Sequence, residues 1–142
     1  MSAFIYLASQ SPRRSQLLTQ IGVRHELLLP TTAGAEDAVE DIAEDAEALE
    51  AVRPGEAPAR YVQRVTALKL DAAVARHARR GLPEAPILCA DTTVALGCHI
   101  FGKPADAAEA ERMLAALSGR VHRVLTAVAL QAGPRRLAAL SV

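Results

Sequence analysis

Two arginines, Arg13 and Arg14, stand in the first turn of an expected helix, directly after Ser9-Gln-Ser-Pro12. Ser11 followed by Pro12 reads as an N-cap with proline at the first helical position, where a missing N–H costs nothing. A strand running into such a helix start aims several backbone N–H groups, and the positive end of the helix dipole, at one spot. Cations in that turn oppose the dipole, so they make sense where an anion sits between them and the helix end. Arginine suits the task because its fork grips phosphate oxygens two at a time. An ordinary capped helix with solvated arginines is the alternative.

A second group lies in Ala90-Asp-Thr-Thr93, at the end of or inside an apolar run from Ile87 to Leu96. A carboxylate buried without a partner is expensive, so Asp91 asks for a cation or for a role as a base; a strand-end aspartate in a turn is the plain alternative. The chain has only two lysines against fourteen arginines. Lys69 sits beside Leu68 in a helix otherwise apolar on that side, and Lys103 lies in Phe101-Gly-Lys-Pro104 after an expected hairpin. A chain this rich in arginine has kept a compact ammonium at two places where a planar fork is no substitute, against a phosphate or beside a water. Solvated surface lysines are the alternative there.

The elements that must position these groups follow from the hydrophobic pattern. Phe4 to Ala8 is a short apolar run with β-formers, long enough for a buried strand. The helix after Pro12 places Leu17, Leu18 and Ile21 on one face and stops at Gly22. A second strand is expected over Glu26–Leu29, ended by Pro30. A long helix from Pro58 to Gly81 carries Tyr61, Val65, Leu68 and Ala72 at helical spacing. Pro86–Ala90 extended by Thr92–Leu96 is a third strand, and Gly97-Cys-His99 turns it back through Ile100 and Phe101. Asp106-Ala-Ala-Glu109 is a capping box opening a helix that buries Ala110, Met113, Leu114 and Leu117 and ends at Gly119. Strands over Val121–Leu130 and Leu137–Val142 flank the turn Ala132-Gly-Pro134. Strands alternating with helices imply an α/β fold, a central mixed β-sheet flanked by helices.

Composition narrows the rest. With 142 residues, 51% apolar, the chain makes one domain, 1–142, able to bury a core. Sixteen basic and sixteen acidic side chains cancel, which argues against a non-specific nucleic-acid binder. No apolar run approaches membrane-spanning length and no signal peptide is apparent, so no membrane partner and a cytoplasmic location are expected. Two cysteines make neither a disulfide framework nor a metal spacing. Between Glu36 and Glu50 lie eight carboxylates and no base, with AEDA repeated at 35–38 and 43–46. This belongs to a connection over 31–57 and reads as a solvated loop or frayed helix; without loop glycines it is a weak cation site.

In order and spacing, five motifs resemble the Maf family of nucleoside triphosphate pyrophosphatases. They are Ser9-Gln-Ser-Pro-Arg-Arg-Ser-Gln-Leu-Leu18, Lys69, Ala90-Asp-Thr-Thr-Val94, Gly102-Lys-Pro104 and Leu117-Ser-Gly-Arg-Val-His-Arg-Val-Leu-Thr-Ala-Val128. The match breaks around 31–46, where the acidic run looks like an insertion. The resemblance implies an inosine-triphosphatase-like fold and hydrolysis between the α and β phosphates of a nucleoside triphosphate, with a divalent cation, Mg2+ or Mn2+. Ser9, Ser11, Arg13, Arg14 and Thr92 would bind substrate, and Lys69 and Lys103 would neutralise the phosphate chain. Asp91 would activate water or position the metal. Counting back from Tyr61-Val62, the family's metal-binding glutamate falls on Glu50, with Glu47 second because the insertion blurs the register.

Arg13 and Thr92 resemble the branch acting on dTTP and UTP; the 7-methyl-GTP branch carries an aromatic after the proline and Gln after the aspartate. Family chains also carry a C-terminal stretch of the form E-P-x-D-K-A-G-A-Y-x-I-Q-G that has no counterpart here. The domain is therefore expected to be incomplete, with Leu137–Val142 as a strand lacking a partner and apolar surface exposed. The competing readings are a catalytically compromised nucleotide- or phosphate-binding protein and a phosphate-free structural module. The sequence leaves open whether a homodimer forms.

Overall fold

The apolar run near the N-terminus forms β1 (Ile5–Leu7), and the chain leaves it through Ala8–Ser11 into α1 (Pro12–Gln20). The computed structural model describes residues 3–30, 51–102 and 104–142. Glu47, Glu50, Lys103 and the acidic run lie outside the described residues. Gly22, with φ 79°, turns the chain after α1. β2 (His25–Leu27) is shorter than the strand expected over 26–29 and starts one residue earlier. In the turn before the long helix, Glu56 N–H donates to the Arg53 carbonyl at 3.1 Å. Pro54 and Gly55, the latter at φ 71°, are the residue types a type II turn requires there.

The long helix α2 (Pro58–Arg80) runs as expected and ends on Gly81 in the left-handed conformation. β3 (Ile87–Leu96) is one continuous ten-residue strand through Asp91, turned at Gly97 and Cys98 into β4 (His99–Phe101). Asp106 caps α3 (Ala107–Leu117), its carboxylate accepting from Glu109 N–H at 2.8 Å. Glu109 reaches back to Ala105 N–H at 3.2 Å, so the capping box forms with its return bond displaced by one residue. β5 (Arg123–Ala132) and β6 (Arg135–Ser141) make the final hairpin.

The sheet order is β2-β1-β3-β5-β6, with β4 also pairing β3. β1 lies parallel to β2 and β3, while β4 and β5 run antiparallel to β3, giving the expected mixed sheet. The last strand is not without a partner: β6 pairs with β5 from Ala132–Arg135 to Thr126–Ser141. A two-residue turn makes that hairpin local, and only the outer edge of β6 lies at the margin of the sheet.

α2 covers one face. Leu70 and Ala73 pack with Tyr6, Leu28, Ile87, Cys89 and Ala129, Val62 packs with Ala95, Leu125 and Ala127, and Val65 is buried beside them in the helix. Each buried valine, leucine or isoleucine there stabilises the fold by about 1.5–3 kcal/mol relative to exposure. The expected stripe of α2 holds at Tyr61 and Val65, but Leu68 and Ala72 are only half-buried; the buried line runs Tyr61, Val62, Val65, Thr66, Leu70, Ala73, Arg76. Lys69 falls inside that line, three or four residues from its neighbours, and so faces the sheet.

Two expected apolar faces are not buried among the described residues. Leu17 and Ile21 of the α1 segment are 58% and 72% exposed, and Leu114 of α3 is 68% exposed, with Ala110, Met113 and Leu117 half-covered. Periodicity fixes which side chains share a helix face, but not whether another layer lies against it.

Candidate active site

The strand order β2-β1-β3 reverses direction at β1, the place where open α/β sheets bind ligands, beyond the carboxyl end of the strand. β1 pairs with β3 only as far as Leu88, and β4 takes up β3 again at Val94. β5 occupies the opposite edge from Ile87 to Ala95, so β1 and β4 share one edge of β3. Between them, among the described residues, no strand pairs with Cys89–Thr93 on that edge. The connection from β1 to α1 starts beside this bare stretch, with Ala8 N–H donating to the Leu88 carbonyl at 2.9 Å.

Side chains of successive strand residues leave on opposite faces. Asp91 shares the α2 face with Ile87, Cys89, Thr93 and Ala95, and Lys69 Nζ reaches its Oδ1 at 3.5 Å, with side-chain exposures of 26% and 18%. Thr92 leaves on the other face, where Arg14 meets it. Arg14 donates through Nη1 to Ser9 Oγ at 2.7 Å and through Nη2 to Thr92 Oγ1 at 3.2 Å. Thr92 in turn shares a 3.0 Å hydrogen bond with Thr126 on β5, its partner in the ladder. A guanidinium held by two hydroxyls keeps its full positive charge, so this arrangement aims Arg14 without neutralising it.

The position of α1 rests on similar bonds. Ser15 Oγ and His25 Nε2 are 2.6 Å apart, and His25 Nδ1 is 3.2 Å from the Val23 carbonyl. A carbonyl only accepts, so Nδ1 carries the proton, and in the neutral ring Nε2 accepts from the Ser15 hydroxyl. With no buried residue in α1, this tie to β2 sets the helix that carries Arg14.

Ser9 is buried, and its hydroxyl also receives Ser11 N–H at 3.4 Å. Ser11 occupies the N-cap position, but its side chain makes no capping bond. Arg13 is exposed in the same first turn. The structure thus brings Ser9, Arg14, Thr92, Lys69 and Asp91 to one bare edge, with Ser11 and Arg13 in the adjoining turn; Glu50 and Lys103 lie outside the described residues. Thr126 was not among the expected site residues. It lies within the Leu117–Val128 motif, but its meeting with Thr92 follows from cross-strand register, which the motif does not reveal.

Two further groups are held away from their ordinary ionisation. Burial pushes the Cys89 thiol up to about 12, beneath the Ala8 carbonyl at 3.7 Å, so it stays protonated. Near the start of α2, Arg64 grips Glu56 through Nε and Nη2 at 2.6 and 2.8 Å, and also donates to the Ala51 carbonyl at 2.7 Å. The Arg64 hydrogen bond outweighs desolvation and, with Arg53 N–H, holds the Glu56 carboxyl down at about 2.

No group of three His, Cys, Asp or Glu side chains placed to hold a metal occurs among the described residues. Asp91 offers the hard carboxylate oxygen that Mg2+ or Mn2+ accepts, and Mg2+ is commonly held by one or two carboxylates plus substrate phosphates. The donor chemistry of Asp91 fits a hard divalent cation.

Residues 4–140 match the family described as Maf-like protein. The chain belongs to that family. Among its curated relatives is the dTTP/UTP pyrophosphatase of Albidiferax ferrireducens, 68% identical over 136 residues, covering 96% of this chain and 63% of the relative. The dTTP/UTP pyrophosphatase of Cupriavidus metallidurans is 61% identical over 142 residues, all of this chain and 66% of the relative. The Maf-like chain thus spans a little under two thirds of these relatives. A solved HAM1 protein from Coxiella burnetii superposes with TM-score 0.53 at 18% identity, covering 98% of this chain and 70% of that one, a likeness of fold alone. No described helix is long and apolar enough to cross a membrane.

Proposed function

We propose that this Maf-like chain binds the triphosphate of dTTP or UTP at the bare edge of β3 and carries residues that hydrolyse it to the monophosphate and pyrophosphate. The observation that carries the reading is convergence: Arg14 from α1 meets Thr92, and Lys69 from α2 meets Asp91, on the same five-residue stretch of β3 from opposite faces. Relatives named dTTP/UTP pyrophosphatase, at 61–68% identity, support the substrate. The reading sets the protein in the cytoplasm with the free nucleotide pool and needs no nucleic acid.

Arg14 and Arg13, with the N–H groups at the start of α1, hold phosphate oxygens. Asp91 takes a proton from the attacking water as its oxygen bonds to phosphorus, and the bond to the bridging oxygen breaks to release pyrophosphate. Lys69, 3.5 Å from Asp91, orients that carboxylate and offsets charge on the phosphate chain. Asp91 and Glu50 would hold a divalent cation, which when bound neutralises phosphate charge. Lys103 is assigned the same neutralising role as Lys69, and Ser9, Ser11 and Thr92 shape the phosphate seat.

Pyrophosphate release from dTTP and UTP, compared with ATP and GTP and measured with and without added Mg2+ or Mn2+, tests the proposal. Faster release from the pyrimidine nucleotides supports it. Nucleotide binding without release would favour a binding protein instead, and neither binding nor release would overturn the reading.

A further inference from the structure

Thr126 stands in β5 directly opposite Thr92, and the two hydroxyls are 3.0 Å apart. Paired residues share a face of the sheet, so Thr126 lies with Arg14, while its neighbours Leu125 and Ala127 are buried on the Asp91 face. On its own face the residues two positions away, Val124 and Val128, are 50% and 37% exposed. A third valine would suit that strand as well as threonine does. Strand propensity therefore does not call for the hydroxyl; its bond to Thr92 does. A guanidinium only donates, so Arg14 Nη2, at 3.2 Å, occupies a lone pair of Thr92 Oγ1. Thr92 has more than one staggered position open to it, and a turn about Cα–Cβ carries Oγ1 away from Nη2. The bond to Thr126 holds Oγ1 in place, whichever hydroxyl supplies the proton.

We propose that Thr126 is a positioning residue: acting through Thr92, it fixes the direction in which the Arg14 fork meets a phosphate, an inference that rests on the function proposed above. Ser9 and Thr92 engage two of the five guanidinium N–H donors. Those two anchors together aim the other three. With Thr92 turned away, Arg14 rests on the single 2.7 Å bond from Nη1 to Ser9 Oγ, and the fork swings about that point. Packing does not replace the lost anchor, because α1 buries no residue of its own. Ser15 and His25 hold the helix at 2.6 Å; Thr126 and Thr92 hold the charge that the helix carries. Asp91 pairs with Ala127 and leaves on the opposite face. Thr126 therefore bears on the grip of the phosphate chain and not on the proton transfer.

Thr126→Val keeps the branched shape and removes the hydroxyl, whereas Thr126→Ser keeps the hydroxyl. Both are compared with wild type by calorimetric binding of inorganic tripolyphosphate, by kcat and KM for dTTP, and by the NMR signals of the Arg14 guanidinium without ligand. Thr126→Val is expected to weaken tripolyphosphate and raise KM about two- to tenfold, the worth of one hydrogen bond. Its kcat should change less than about twofold, and Thr126→Ser should restore both affinities. In a Thr92→Val background, Thr126→Val should add nothing further, since the effect runs through Thr92. The Arg14 Nη signals, distinct while the fork is held, should merge in Thr126→Val. A lower Tm with unchanged tripolyphosphate binding, KM and Arg14 signals would make the pair a cross-strand contact of the sheet alone and overturn the inference. A loss that persists in full in the Thr92→Val background would overturn it too. A wild-type chain that neither binds tripolyphosphate nor releases pyrophosphate overturns the function proposal instead, and the Arg14 signals then decide whether Thr126 holds the fork.

Discussion

Asp91 and Thr92 are neighbours in the chain, yet each meets its cation on a different face of the sheet: Lys69 of α2 for Asp91, Arg14 of α1 for Thr92. A strand flanked by pairing partners along both edges would separate these two chemistries by a layer of backbone. Here the edge from Cys89 to Thr93 is bare among the described residues, so a polyphosphate lying along it is open to both sides at once.

Replacing Asp91 with Asn keeps the shape but removes the proton acceptor. Turnover of dTTP is expected to fall about 10²–10⁴-fold, with nucleotide affinity much less affected. Lys69→Arg keeps the charge yet sets a wide fork where a point donor stood, and is also expected to lower kcat. Steady-state kinetics beside calorimetric binding checks both, and wild-type turnover in Asp91→Asn would remove it from the mechanism.

Ser15→Ala cuts the tie between α1 and His25 without touching an arginine. One such hydrogen bond is worth about 0.5–1.5 kcal/mol, so KM for dTTP should rise several-fold while kcat holds. His25→Ala should match it, and the double variant should be no worse than either single one. Additive losses would mean that the two side chains act separately.

The Arg64–Glu56 clasp makes stability depend on acid. Glu56 is depressed from an ordinary 4.5 to about 2 in the folded chain, so its contribution is complete above pH 4.5 and is lost as the pH falls toward 2. Arg64→Met should lower Tm at neutral pH and flatten the decline of Tm across that window. An unchanged pH profile in the variant would show that other carboxylates dominate acid unfolding.

The two thiols should report the fold. Cys98 is exposed at the β3–β4 turn, while Cys89 is buried and held protonated. Since the thiolate is the reacting form, a thiol reagent at pH 8 should modify one cysteine in the folded chain and both in denaturant. Cys98→Ser should leave the folded chain unreactive.

Much of this was legible in the residues because local rules govern it. Pro12, Gly22, Gly81 and Asp106 bound helices for reasons held within one turn, and the scarcity of lysine singled out Lys69. What was missed depends on which layer lies against which. Leu68 and Ala72 shared a helical stripe with the buried Tyr61 and Val65, but further along the helix the buried positions are Leu70 and Ala73 instead. Leu114 fits an amphipathic pattern and is exposed all the same. The site was read as separate motifs along a line. That Thr126 belongs with Thr92, and that Asp91 and Thr92 face apart, follows from strand register, which no single segment carries.

The connectivity also sets an order of assembly. The β3–β4 and β5–β6 hairpins close over short turns, whereas Arg14 and Thr92 are 78 positions apart. Contacts between residues so distant in sequence form slowly, because the closure entropy of the intervening loop comes before any gain from contact. We expect the β1–α1 unit to join last, so that a folding chain holds its Asp91 strand before it has anywhere to seat a phosphate. A ligand bridging the two halves would then act as a latch on the latest step, and refolding with tripolyphosphate should slow re-opening of this unit in hydrogen exchange more than that of the hairpins.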